Sequence, residues 1–197
     1  MHIVRVLLTV VVSGCPAILA TPVPNPEEKT PLYFPIKEGT RLVYQVRSRA
    51  RTETIAKVEA KGEVFRVTVE RGPNEKWKFV YEVSAKGVAL VVGNGEELAS
   101  PRPILKLPAK EGDKWTAKEN NVTYSYTVGK EEEIEVPAGK FKAIPITSEI
   151  VISGPGGKKG TLKETTWFAP GTGEVKRVVK SPGGNESETV LKSITLG

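Results

Sequence analysis

The chain has 197 residues, 39% of them hydrophobic and 26% charged, with a formal charge of +6. That length suits one domain or two small ones, and the composition excludes a disordered chain and a multi-pass membrane protein. The only histidine is His2 and the only cysteine is Cys15, so a chain that loses its first 20 residues has neither imidazole nor thiol chemistry.

Residues 1–20 read as an export signal. Arg5 is the only charge before Glu27, and the apolar stretch from Ile3 to Val12 is broken only by Arg5 and Thr9. It falls short of the roughly 20 apolar residues that a membrane span needs. Two processing routes are open. Val12-Ser13-Gly14-Cys15 resembles a bacterial lipobox, which would make Cys15 a lipid anchor. Ordinary cleavage near Ala20 would instead discard Cys15 with the signal. The Pro-rich run over 21–35 then fits an extended tether. The expected location is exported: periplasmic, outer-surface or membrane-anchored through an N-terminal lipid.

From residue 36 to 197 a single β domain is expected. Leu42, Tyr44 and Val46 alternate with polar neighbours, as do Phe65, Val67 and Val69. The same period of two runs through Trp77, Phe79, Tyr81 and Val83, and through Val122, Tyr124, Tyr126 and Val128, the signature of half-buried strands. Further strands are expected near 53–61, 86–92, 131–136, 141–152, 161–168, 174–180 and 188–196. Residues 96–107 carry the weakest pattern and read as a loop or one short helix. Gly- and Pro-rich turns, such as Gly93-Asn-Gly95 and Pro170-Gly-Thr-Gly173, link successive strands into an antiparallel meander. Together these give an all-β chain of about ten strands, bent into a curved sheet or open β-barrel, with at most one short helix.

Pro35-Ile-Lys-Glu-Gly39-Thr-Arg-Leu42 is echoed 73 residues later by Pro108-Ala-Lys-Glu-Gly112-Asp-Lys-Trp115. Coincidence between two turns and two similar halves, 36–107 and 108–197, both account for the echo. Tyr33-Phe-Pro-Ile-Lys-Glu-Gly39, Val136-Pro-Ala-Gly-Lys-Phe141 and Trp167-Phe-Ala-Pro-Gly-Thr-Gly-Glu-Val175 together resemble a group of uncharacterised exported bacterial β-proteins and hypothetical lipoproteins. That resemblance implies the fold of the lipoprotein-localisation factors, a strongly curved sheet with an apolar concave face. No clear helix is present here to plug that face.

Without histidine or cysteine, no Ser-His-Asp or Cys-His catalytic set is available, and imidazole or thiolate metal sites are excluded. No cofactor and no metal is expected. Gly154-Pro-Gly-Gly-Lys-Lys-Gly160 lacks the Gly-Lys-Ser/Thr ending of a phosphate loop and reads as a hairpin tip. Glu131, Glu133 and Glu135 share one strand face, as solvated side chains or as the acid–base pair of a hydrolase.

Two groups remain as candidate binding features. Arg47, Arg49 and Arg51, with Arg41 in the same parity, form a basic stripe able to meet lipid headgroups, anionic glycans or nucleic acid. Export makes nucleic acid a poor partner, and a solvated outer face is the alternative. Trp77, Phe79, Tyr81, Trp115, Tyr124, Tyr126 and Trp167 could converge on the concave face and bind an apolar small molecule or a lipid. Plain core packing would use the same rings. The functional expectation is a non-enzymatic cell-envelope protein holding an apolar ligand or lipidated partner. A filled-core interaction module and a carboxylate-based hydrolase of envelope glycans are the alternatives.

Overall fold

A computed structural model describes residues 30–72 and 77–197. Residues 1–20, read above as an export signal, and with them Cys15, lie outside the described residues.

Alternating apolar and polar positions become strands throughout. In chain order they are β1 (Arg41–Val46), β2 (Arg49–Lys61), β3 (Val64–Arg71), β4 (Trp77–Ser84), β5 (Gly87–Gly93), β6 (Glu96–Lys106), β7 (Lys114–Glu119), β8 (Val122–Val128), β9 (Glu132–Val136), β10 (Gly139–Ser153), β11 (Lys159–Ala169), β12 (Gly173–Lys180) and β13 (Glu186–Thr195). They form one antiparallel sheet in the order β6-β5-β4-β3-β2-β1-β13-β12-β11-β10-β8-β7, with β9 paired to the first part of β10. Among the described residues the strands number thirteen rather than about ten. A 3-10 turn at Pro155–Gly157 occupies the tip of the glycine-rich hairpin.

Bulges interrupt the pairing of β1 with β13, β2 with β3, β4 with β5, β5 with β6 and β11 with β12. Each adds local bend and twist, and together they curl the sheet until its two ends meet. β6 and β7 share no backbone ladder among the described residues. Side chains close the seam instead. The Trp115 indole N–H donates to the Pro103 carbonyl at 2.9 Å, and Arg102 Nη1 lies 3.4 Å from Glu119 Oε2.

The weak stretch 96–107 is therefore a strand, not a loop or helix. Pro101 and Pro103 hide its pattern, yet proline is tolerated on an edge strand because its missing N–H faces no partner. Gly87 shows how closely β6 approaches β5. Its φ is +129°, and a Cβ there would lie 2.0 Å from the Leu105 carbonyl oxygen.

The two Lys-Glu-Gly turns make matching hydrogen bonds. Gly39 N–H donates to the Ile55 carbonyl at 2.8 Å, and Ile55 N–H donates to Thr40 at 2.9 Å. Gly112 N–H donates to Val128 at 2.9 Å, and Val128 N–H donates to Asp113 at 2.9 Å. Gly39 and Gly112 both hold positive φ, which a glycine adopts without strain.

One end of the barrel is floored by the segment ahead of β1. Tyr33 is buried, and Leu32, Phe34 and Ile36 pack on the same core. Gly171 N–H, in the β11–β12 turn, donates to the Leu32 carbonyl at 2.6 Å. Residues 32–35, expected to belong to the extended tether, are thus fixed to the barrel. The proline count over 21–35 outweighed Tyr33 and Phe34 in the sequence, but those aromatics gain more from burial than an extended run offers. Because consecutive strands alternate in direction, the β1–β2, β7–β8 and β10–β11 turns gather at the opposite end, the mouth.

Candidate functional site: the barrel chamber

Cross-strand pairing decides which side chains face inward. Tyr44 and Leu42 on β1 point inside, so their partners Arg51 and Glu53 on β2 do as well. On β8, β10 and β11, Tyr126, Ser148 and Glu164 stand opposite one another. Toward the floor follow Ile146 and Thr166, then Ile144 and Phe168. Toward the mouth follow Tyr124 and Ile150, then Val122 and Ile152. The interior is therefore an apolar floor, a polar belt and an apolar lip.

Between these layers lies a chamber of about 350 Å³, within the range of small-molecule sites. Phe34 enters it from the floor, its ring 4.8 Å from that of Tyr81.

The belt carries a chain of ion pairs. Glu53 Oε1 lies 3.1 Å from Arg51 Nη2 and 2.7 Å from Arg71 Nε. Neither contact is aligned as a hydrogen bond, so the attraction is Coulombic. Arg51 also reaches Glu174 at 3.8 Å. Arg177 places Nε and Nη2 3.1 Å from Glu174 Oε1, and Nη1 3.7 Å from Glu164 Oε2. Three guanidiniums stack on rings: Arg51 5.0 Å from Tyr44, Arg71 4.3 Å from Phe79 and Arg102 4.2 Å from Tyr124. Such contacts keep a cation favourable beside an apolar surface.

Burial shapes the titration of these groups. It pushes the Tyr81 hydroxyl up to about 12, and raises Tyr44 well above its ordinary value, with Glu53 adding to the Tyr44 shift. Tyr126 is raised for the same reason. Burial also raises Glu164, against the opposing pull of Arg177. The carboxylates hold Arg177 firmly protonated.

Of the seven aromatics expected to converge, Phe79, Tyr81, Tyr124 and Tyr126 line the chamber. Trp115 lies at the seam, 8% exposed and stacked on Tyr126 at 5.0 Å. Trp77 begins β4 and is 49% exposed. Trp167 faces outward, paired to Pro145 and Lys176, and its indole N–H donates to Glu132 at 2.7 Å. Adjacent residues of a strand face opposite sides, so Phe168, not Trp167, points into the chamber.

The basic stripe is not one stripe. Arg41 lies on β1 opposite in phase to Leu42 and Tyr44, and is exposed on the outer face. Arg47 sits in the β1–β2 turn with φ +53°. Arg49 and Arg51 share the inner phase of β2, and only Arg51 joins the ion-pair belt. The chain reverses at Arg47-Ser48, so parity counted through 41–51 does not hold. The glutamates at 131–135 lie on or beside the exposed β9 hairpin, where Lys142 pairs with Glu131 at 2.7 Å and Lys140 approaches Glu135 at 3.9 Å.

Sequence reasoning missed the charged belt. The available signal was phase: Glu53 falls in step with Ile55, Arg71 with Val69, Arg102 with Ile104, and Arg177 with Val175. A charge that keeps the beat of the apolar positions faces the core.

No family model matches the chain, and no curated protein matches it. Two solved structures share its fold. One is a "putative lipoprotein" from Parabacteroides distasonis, with TM-score 0.61 and 15% identity, covering 85% of this chain and 100% of its own. The other is a "putative exported protein with YmcC-like fold" from Bacteroides fragilis, also with TM-score 0.61 and 15% identity, covering 84% of this chain and 99% of its own. At that identity the likeness is one of fold.

Proposed function

We propose that this chain is an exported, non-enzymatic envelope protein whose barrel holds a small, largely apolar molecule in its chamber. The space of about 350 Å³ left among Phe34, Phe79, Tyr81 and Tyr124 carries this reading. The apolar lip of Val122, Ile150 and Ile152 gives a ligand a path from the mouth to those rings. Export rests on the apolar N-terminal segment, and the descriptions "putative lipoprotein" and "putative exported protein" of the two structures that share the fold agree with it. A localisation-factor-like role, holding the acyl part of a lipidated partner, would use the same chamber, with the 32–36 segment as floor in place of a helix.

A glycan hydrolase needs a carboxylate free to act as nucleophile or base. In the chamber Glu53 and Glu174 each lie against two guanidiniums, which blunts both as nucleophiles.

The test is titration with N-phenyl-1-naphthylamine, a neutral apolar fluorophore. Saturable one-to-one enhancement is expected in the natural chain and its loss in Ile150→Trp, which narrows the lip. Equal enhancement in both chains would place binding outside the chamber and overturn the reading.

A further inference from the structure

Among the guanidiniums of the chamber, Arg102 has the longest nearest contact to a carboxylate, 3.4 Å against 2.7 Å for Arg71 and 3.1 Å for Arg51 and Arg177. Arg177 meets two carboxylates, with hydrogen-bond geometry to Glu174. Arg51 and Arg71 share Glu53. Arg102 has one ion-pair partner among the described residues, Glu119, at 3.4 Å and out of line for a hydrogen bond, and its Nε, like those of Arg51 and Arg71, is buried with no hydrogen-bond partner. Unused buried donors are costly, and native structures rarely tolerate them without a ligand or water to satisfy them. Arg102 lines the chamber, whereas Glu119, opposite Val122 toward the mouth, does not line it.

The surroundings specify what would complete it. A guanidinium offers a planar fork of donors that fits a two-oxygen anion. The Tyr124 ring, against which Arg102 is stacked, continues into the apolar wall of Ile104 and Ile150. The acidic group across the belt is Glu164, which burial shifts toward its neutral form, so it opposes an incoming anion less than an ordinary glutamate would. Glu53 and Glu174 are already answered by two guanidiniums each.

We infer that the chamber ligand is an amphipathic carboxylate, its head group held by Arg102 and its apolar body lying against Tyr124 and the lip. This rests on the chamber-binding reading above and adds the head-group chemistry to it.

The test compares three probes of equal chain length by calorimetry on the purified chain: dodecanoate, 1-dodecanol and dodecylamine. Dodecanoate is expected to bind about tenfold or more tightly than dodecanol, the scale of a charge-assisted hydrogen-bond pair, with dodecylamine weakest. Arg102→Gln should erase the preference for dodecanoate over dodecanol. Glu119→Gln, which removes the competing carboxylate, should increase it, and that variant carries the test if Arg102→Gln does not fold. Equal binding of dodecanoate and dodecanol to the natural chain would overturn the head-group assignment while leaving the chamber reading intact. A preference that persists in Arg102→Gln, or that falls in Glu119→Gln, would overturn the assignment as well. Failure of all three probes to bind would overturn the chamber reading itself.

Discussion

Replacing Arg177 by methionine removes the cation on which the belt turns. Two nitrogens then leave Glu174 Oε1, each from 3.1 Å, and a third leaves Glu164 from 3.7 Å. Breaking one side of a buried ion pair costs roughly 3–5 kcal/mol, because it strands the opposite charge. The lower end, about 3 kcal/mol, is expected here for two reasons. Glu174 retains Arg51 at 3.8 Å, and Glu164, already raised by burial, can take up a proton. Urea unfolding at pH 7, with the slope checked against the natural chain, measures the loss. The double variant with Glu164→Gln should recover about 1 kcal/mol, since one stranded charge is gone. A loss below about 1 kcal/mol for Arg177→Met, the scale of an exposed pair, would show that the belt is solvated and would refute its role as a buried network.

Trp115→Phe keeps the ring but loses the N–H to Pro103, and should cost about 1 kcal/mol and speed hydrogen exchange in β6 and β7. Unchanged exchange there would mean that the indole does not hold the seam. Glu164→Gln bears on pH. A glutamate raised above its ordinary 4.5 in the folded chain contributes stability below that value, which is lost as pH rises through the folded pKa. The natural chain should therefore lose stability relative to Glu164→Gln between pH 4.5 and neutrality, and a relative gain there would contradict the burial argument. Gly87→Ala sets a Cβ 2.0 Å from the Leu105 carbonyl at φ +129°, and should cost about 3 kcal/mol, a drop in Tm of roughly 10 °C. A thermal melt within about 2 °C of the natural chain would show that β5 and β6 can part without harm.

The all-β fold was legible because strands with one buried face repeat every second residue. Tyr124 and Tyr126, or Phe65 and Val67, announce it locally. Closure into a barrel was less legible, since bulges such as that between Val43 and Tyr44 depend on partners far away in the chain. The same distance explains the fate of the aromatics. Phe79 and Tyr81 keep the inward phase of β4, whereas Trp167 stands in the outward phase of β11, beside the inward Thr166 and Phe168. Arg51 read as part of an outward basic stripe, and Glu53 drew no reading, because a single strand shows only that a side chain is polar. Their pairing with Tyr44 and Leu42 turns them inward, and that pairing is a property of the hairpin. The proline-bearing β6 was hidden for a related reason: only its place at the sheet edge makes those prolines acceptable.

Native mass spectrometry of the chain, purified from its own host without detergent, tests the chamber most directly. One non-covalent small molecule per chain is expected, released on denaturation and absent from Ile150→Trp purified in parallel. The natural chain at its own mass, with nothing released on denaturation, would contradict a ligand-holding barrel.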